Sequence, residues 1–350
     1  MEKTYGTSLL VPSVKELAQD ITSVPTRYIR DPQETLVVPE TVKLQEIPVI
    51  DMQSLLSQES QDSEVAKLHL ACKDWGFFQL VNHGFSSTLL EKVKLETQEF
   101  FNLPMSEKKK LWQSSEELEG FGQTFVVSEE QKLDWSDVFV ITTFPIHKRK
   151  PRLFANLPLP FRDTVELYTQ QLNILAMTLY GCMAKALKVE AKEIQELFEE
   201  GLQGFRVNYY PPCPEPDKVI GLAPHSDGSG LTIVLQANEV EGLQIRKDGM
   251  WLPVKPLPNA FIVNIGDMME IISNGIYRSI EHRAIVNSVK ERLSIATFRF
   301  VNHDGEVGPA PSLVTEQTPA QFKRIEATEY LHGAFARKLG GKSYLDTLRT

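Results

Sequence analysis

The sequence predicts a mainly β fold with helical extensions: a double-stranded β-helix (jelly roll) core packed by N-terminal and C-terminal helices. Two observations carry this expectation. Between Phe205 and Phe300, short β-branched and aromatic runs follow one another at close spacing, separated by turn signals such as Lys247-Asp248-Gly249 and Asn274-Gly275. Many short strands at such spacing close into a sandwich or barrel. From Arg162 to Leu187 the apolar period is helical instead, with Val165, Tyr168, Leu172, Leu175, Leu179 and Cys182 on one stripe.

Each element has a local cause. Ser13-x-x-Glu16 is a capping box that opens a short helix with Val14, Leu17 and Ile21 inward. A polar, proline-bearing connector from Arg27 to Leu44 leads to a strand at Ile47–Asp51. A helix from about Asp62 to Asp74 and a strand over Gly76–Val81 follow, closed by Asn82-His83-Gly84. Ser87 to Phe101 reads as helical until Pro104 intervenes. The predicted strands then run Phe205–Tyr210, Leu231–Gln236, Leu243–Arg246, Trp251–Val254, Ala260–Ile265, Met269–Ser273, His282–Asn287 and Arg292–Phe300, before a helix from about Ala327 to Leu339. The expected division is an N-terminal region over 1–195, a core over 200–300 and a helical tail over 301–350.

Charge narrows the function. With 37 basic and 46 acidic residues the net charge is −9, which argues against nucleic acid or an anionic membrane as partner. No apolar run approaches the length of a membrane span, and the Met1-Glu2-Lys3-Thr4 start lacks the order of a signal peptide. A cytoplasmic monomer acting on a small organic molecule is the expectation. The three cysteines give no disulfide framework. Cys72 and Cys182 fall in apolar-periodic helices and read as core, while Cys213, between prolines, reads as an exposed loop residue.

The chemistry concentrates between Ala223 and Phe300. In an extended segment residues i and i+2 point to the same side, so His225 and Asp227 converge, and His282 is available from another strand. Two imidazoles and one carboxylate bind a redox-active iron on one face and leave the other open. Arg292, with Ser294 two further on, offers a guanidinium fork to a carboxylate. A lone strand histidine is more often a packed residue than a ligand, and a zinc hydrolase also uses two His and a carboxylate. Such a hydrolase has no need of the Arg-x-Ser strand, and the combined parts fit an iron(II) oxygenase that consumes 2-oxoglutarate.

Further segments carry a resemblance. Trp75-Gly76-Phe77-Phe78-Gln79-Leu80-Val81-Asn82-His83-Gly84, Asn208-Tyr209-Tyr210-Pro211-Pro212-Cys213-Pro214, His225-Ser226-Asp227, Gly266-Asp267, Ser279-x-Glu281-His282-Arg283 and Arg292-Leu293-Ser294 resemble the plant 2-oxoglutarate- and iron(II)-dependent dioxygenases along essentially the whole chain. Glu119-Gly120-Phe121-Gly122-Gln123, Lys132-Leu133-Asp134-Trp135 and Lys255-Pro256-Leu257-Pro258-Asn259-Ala260-Phe261 are similar to a narrower branch, that of the senescence-related protein and the codeine and thebaine O-demethylases. The resemblance implies that His225, Asp227 and His282 hold iron(II). It also implies that Arg292 and Ser294 bind the distal carboxylate of 2-oxoglutarate, with Tyr210 adding a phenol hydrogen bond and Asn208 supporting the site. Oxygen is the implied oxidant and ascorbate a possible reductant. Decarboxylation to succinate would give an iron(IV)-oxo species that hydroxylates or O-demethylates a specialised metabolite such as an alkaloid, flavonoid or phenolic ether.

Strand alternation from Arg292 and Ser294 places Ala296, Phe298 and Phe300 on one face, and family position adds Val138, Val140 and Arg206 to the expected substrate pocket. His83 reads as structural, and Trp135, Trp75 and Phe77 read as core. Two other readings stay open: an oxidase of this fold with a hormone or acid substrate, and a non-catalytic binding protein on the same scaffold.

Overall fold

A computed structural model describes residues 8–32, 34, 46–114, 117–337, 339 and 341–350. The chain start and most of the Arg27–Leu44 connector lie outside the described residues. Twelve strands form two facing sheets: β1 (Val49–Asp51), β2 (Phe77–Val81), β3 (Gly120–Gly122), β4 (Asp137–Phe144), β5 (Gln203–Tyr210), β6 (Leu222–His225), β7 (Leu231–Gln236), β8 (Leu243–Lys247), β9 (Met250–Pro253), β10 (Phe261–Ile265), β11 (His282–Ala284) and β12 (Arg292–Arg299). The major sheet runs β1-β2-β10-β7-β12-β5-β4-β3 and the minor sheet β6-β11-β8-β9. This is the expected jelly roll with helices outside it.

Cross-strand register divides the residues between the two faces of the major sheet. Ser294 stands opposite Asn208 and Gln236, and Ala296 opposite Arg206 and Val234, while Val138 and Val140 pair with Asn208 and Arg206. The alternate residues Leu293, Ile295, Tyr209, Val207, Phe139, Ile141, Ile233 and Val263 turn the other way. They join the main core with Tyr168, Leu172 and Leu179 of the helix Leu159–Leu187. The expected stripe of that helix is therefore what covers the sheet's outer face. A smaller core of Phe77, Ile245, Leu252, Val254 and Ile262 fills the space between the sheets.

Local signals settled most elements. Ser13 caps the helix Val14–Asp20, its Oγ accepting from Glu16 N, and Ser86 caps Ser87–Asn102 in the same way. Val14 N, Lys15 N and Ser13 Oγ all donate to the buried Asp137 carboxylate, which anchors that first helix to β4. Three expectations fail. Met269–Ser273 is not a strand: Met269–Ile272 lies in the helix Asp267–Ile272, all six of whose residues are buried, and Ser273 follows it; an element buried on every side has no period to betray its type. Cys213 is fully buried, packed with Tyr28, Trp135 and Val219, its N–H donating to Asn287 O. Trp75 is only half-buried, with Lys247 Nζ 5.5 Å from its ring centre.

Candidate metal centre and co-substrate pocket

β6 and β11 are neighbours in the minor sheet, with His225 directly opposite His282. Each imidazole turns its Nδ1 toward the carbonyl two residues before it, Ala223 O at 2.8 Å and Ile280 O at 3.2 Å. An Nδ1–H donated there leaves the Nε2 lone pair facing inward, the tautomer a metal ligand needs. Both Nε2 atoms point at Asp227 Oδ1, at 3.5 and 3.7 Å, and the ring centres are 4.3 Å apart. The three donors lie within 4.8 Å of one another and all three residues are buried. Among the described residues this is the one such group.

The strand ends at His225, so alternation along a strand does not explain Asp227. Side chains from the major sheet hold it instead: Thr232 Oγ1 and Asn264 Nδ2 each donate to Oδ2 at 2.7 Å, leaving Oδ1 to face the imidazoles. Burial opposes the charge on Asp227, but His282, His225 and Asn264 outweigh it and hold the carboxyl well below the usual range. Burial, with His225 alongside, pulls His282 down to about 4, so it is neutral at pH 7. Phe77, expected as plain core, sets its edge against the His282 ring at 5.3 Å. Two oriented imidazoles and one carboxylate fit a divalent transition metal and leave further coordination positions free.

Arg292 enters this space from β12. Its Nη2 donates to Gln236 Oε1 at 2.9 Å and the guanidinium lies 5.1 Å from the Tyr210 ring centre, while buried Nε has no partner. Among the described residues no carboxylate pairs with it. A buried guanidinium without an anion is costly, and a carboxylate ligand would complete it. Gly242 makes room for it: a Cβ there would meet Arg292 Cδ at 2.7 Å. Beside Arg292, Asn208 Nδ2 reaches Ser294 Oγ at 3.4 Å and Asn208 Oδ1 accepts from Arg206 Nε at 2.6 Å. Ser294, Asn208 and Tyr210 are thus brought together with Arg292.

The side chains expected in the pocket wall share one face of the major sheet. Phe298 and Phe300 lie on the same face, both rings within 3.9 Å of the Cβ position of Gly204. Phe300 is 9% exposed and belongs to the main core cluster as well. Val138 is buried, Val140 half-open, and Arg206 buried with no carboxylate in ion-pair contact among the described residues. Sequence reasoning missed Phe125 and Phe335. Their rings stack at 6.0 Å, and Phe335 meets Phe300 at 5.6 Å. It also missed Thr232, Asn264 and Gln236, whose one signal was a polar residue inside an otherwise apolar strand. His83 keeps its structural role, its Nε2 within 2.8 Å of Asn259 O and its ring against Phe261.

Residues 202–301 match the 2OG-Fe(II) oxygenase superfamily, and residues 47–158 match the non-haem dioxygenase in morphine synthesis N-terminal family. The chain is 59% identical to the Arabidopsis thaliana protein SRG1, over 98% of this chain and 97% of that one. The chain belongs to the 2OG-Fe(II) oxygenase superfamily. It is 55% identical to oxoglutarate-dependent flavonoid 7-O-demethylase 1 of Ocimum basilicum, over 99% of this chain and 93% of that one. A crystal structure of JOX2 in complex with 2OG, Fe and JA superimposes with a TM-score of 0.88 at 34% identity, covering 99% of both chains. This chain is an iron(II)- and 2-oxoglutarate-dependent oxygenase.

Proposed function

We propose that this oxygenase hydroxylates or O-demethylates a flat, largely apolar specialised metabolite, such as a flavonoid, alkaloid or other phenolic ether. The reading rests on His225, Asp227 and His282 as iron ligands and on Arg292, Ser294, Tyr210 and Asn208 as the 2-oxoglutarate site. The observation that carries it is the buried, anion-free Arg292 guanidinium on the sheet face that also supplies Thr232 and Asn264 to Asp227. When bound, iron and 2-oxoglutarate supply an oxidant strong enough to break a C–H bond, with succinate and carbon dioxide as co-products.

The chain's own residues bind and orient. Asp227 balances metal charge while Thr232 and Asn264 fix its free oxygen. Arg292 and Ser294 would hold the distal carboxylate of 2-oxoglutarate. Phe298, Phe300, Val138 and Val140 form an apolar wall that keeps water from the reacting carbon. Oxidation of a methoxy carbon gives a hemiacetal that collapses to formaldehyde and a phenol, so both outcomes share one site. The 7-O-demethylase likeness supports the methoxy version. Arg206, a cation in this wall, favours a substrate with an acidic or phenolic oxygen, and an organic acid is the second reading. No helix among the described residues is long and apolar enough to cross a membrane. The three free cysteines suit a reducing cytosol.

The test is succinate release from iron-loaded enzyme across methoxylated flavonoids, alkaloids and aromatic acids, with formaldehyde assayed in parallel. Coupled formaldehyde with a methoxylated ring supports the first reading; coupling only with acids overturns it.

A further inference from the structure

The turn that carries the first two metal ligands, residues 225–228, is held at both ends by distant residues, from 327–337 and 341–350. At one end Gly341 forms a parallel bridge to His225: Gly341 N donates to Pro224 O at 3.1 Å and Ser226 N to Gly341 O at 3.4 Å. At the other end Tyr330, fully buried on the helix Ala327–Phe335, donates its hydroxyl to Gly228 O at 3.0 Å, and Ala334 packs on Gly228. Glycine is favoured at 341, where φ is +60° and a Cβ would lie 2.3 Å from Glu281 Oε1, so that the Glu281 side chain would have to move.

The 341–350 stretch is also tied to the second histidine. Glu270, fully buried, takes Lys342 Nζ at 2.6 Å and Arg349 Nη2 at 2.9 Å, and its Oε2 also accepts Ser279 N at 2.7 Å. Ser279 begins the run whose Ile280 carbonyl faces His282 Nδ1. A two-ended hold on a four-residue turn, cross-linked to the other ligand strand, exceeds what packing a chain end onto a barrel needs.

We propose that Tyr330 and Gly341 are positioning residues of the metal centre, clasping the His225–Gly228 turn so that His225 Nε2 and Asp227 Oδ1 converge. The proposal rests on the ligand assignment above. The probe is Co(II), titrated anaerobically into purified full-length protein and followed by its visible d–d absorption, with the melting temperature measured alongside. Tyr330→Phe removes only the hydroxyl and weakens Co(II) binding about fivefold, the scale of one hydrogen bond. Gly341→Ala weakens it more and alters the d–d spectrum. Leu172→Ala, a cavity in the core far from the turn, lowers the melting temperature but leaves Co(II) affinity unchanged. If Gly341→Ala does not fold, Tyr330→Phe decides alone. Wild-type affinity in Tyr330→Phe, or an equal loss in Leu172→Ala, overturns the proposal. Failure of the wild type to bind one Co(II) that Asp227→Ala loses would instead overturn the ligand assignment.

Discussion

Arg292→Lys separates co-substrate anchoring from metal binding. The guanidinium is 2% exposed, held by Gln236 on one side and the Tyr210 ring on the other, with no acidic partner described. Lysine keeps the charge but has no fork, so one of two parallel bonds to a carboxylate is lost. A charge-assisted hydrogen bond contributes about 1.5–3 kcal/mol, and each 1.4 kcal/mol is roughly tenfold. The KM for 2-oxoglutarate is therefore expected to rise about 10- to 150-fold, with Co(II) affinity unchanged. Arg292→Gln goes further, because the cation itself is gone. In the wild type, 2-oxoglutarate at about 100 times its Kd adds roughly 2.7 kcal/mol to stability, a clear upward shift in melting temperature, and the variant should lose that shift at the same concentration. Its ligand-free form should melt no lower than wild type, since an uncompensated buried charge has been removed. The assays are initial rates of succinate release against 2-oxoglutarate and thermal melts with and without it. An unmoved KM in Arg292→Lys, together with a wild-type ligand-induced shift in Arg292→Gln, would refute the assignment.

Asp227→Ala should abolish Co(II) binding and turnover; it also strands the buried Asn264 amide, while Thr232 keeps Ser229 Oγ, so a stability loss of about 1–3 kcal/mol is expected in denaturant melts, and near-normal turnover would sink the ligand set. Phe300→Ala should change which ring systems are accepted and raise succinate release uncoupled from product. Because Phe300 is 9% exposed and also in the main core, about 2–4 kcal/mol of stability should go with it; that loss with unaltered substrate preference would make Phe300 core alone. Burial pushes the Asp267 carboxyl up to about 7, and its Oδ1 has no hydrogen-bond partner. A carboxyl whose pKa is raised by folding stabilises the protonated native state, so its contribution is complete below about 4 and is lost as pH rises through about 7. Asp267→Asn should flatten that part of the melting-temperature profile, and an unchanged slope from pH 4 to 7.5 would count against it.

Much of this protein was readable from short-range chemistry. The Ser13 N-cap, the stripe along Leu159–Leu187, the Lys247-Asp248-Gly249 turn and the face shared by Arg292, Ser294 and Phe298 each depend on residues a few positions apart, and each stands in the structure. The three candidate ligands, named from residue type and order alone, also converge there. Other features depended on partners far along the chain. Asp227 faces the histidines because Thr232 and Asn264 hold its other oxygen, not because a strand continues past His225. The run Met269–Ser273 belongs to a helix because it is buried on all sides, which erases the periodicity that would have distinguished it. Cys213 is buried because Tyr28 and Trp135 close over a proline-flanked loop that looks exposed in one dimension. Phe125, Phe335, Tyr330 and Gly341 reach the site from segments more than a hundred residues apart. Local sequence encodes backbone preference and donor type; which distant side chain satisfies a buried carboxylate or closes a pocket is decided only when packing and hydrogen-bond satisfaction are solved for the whole chain together.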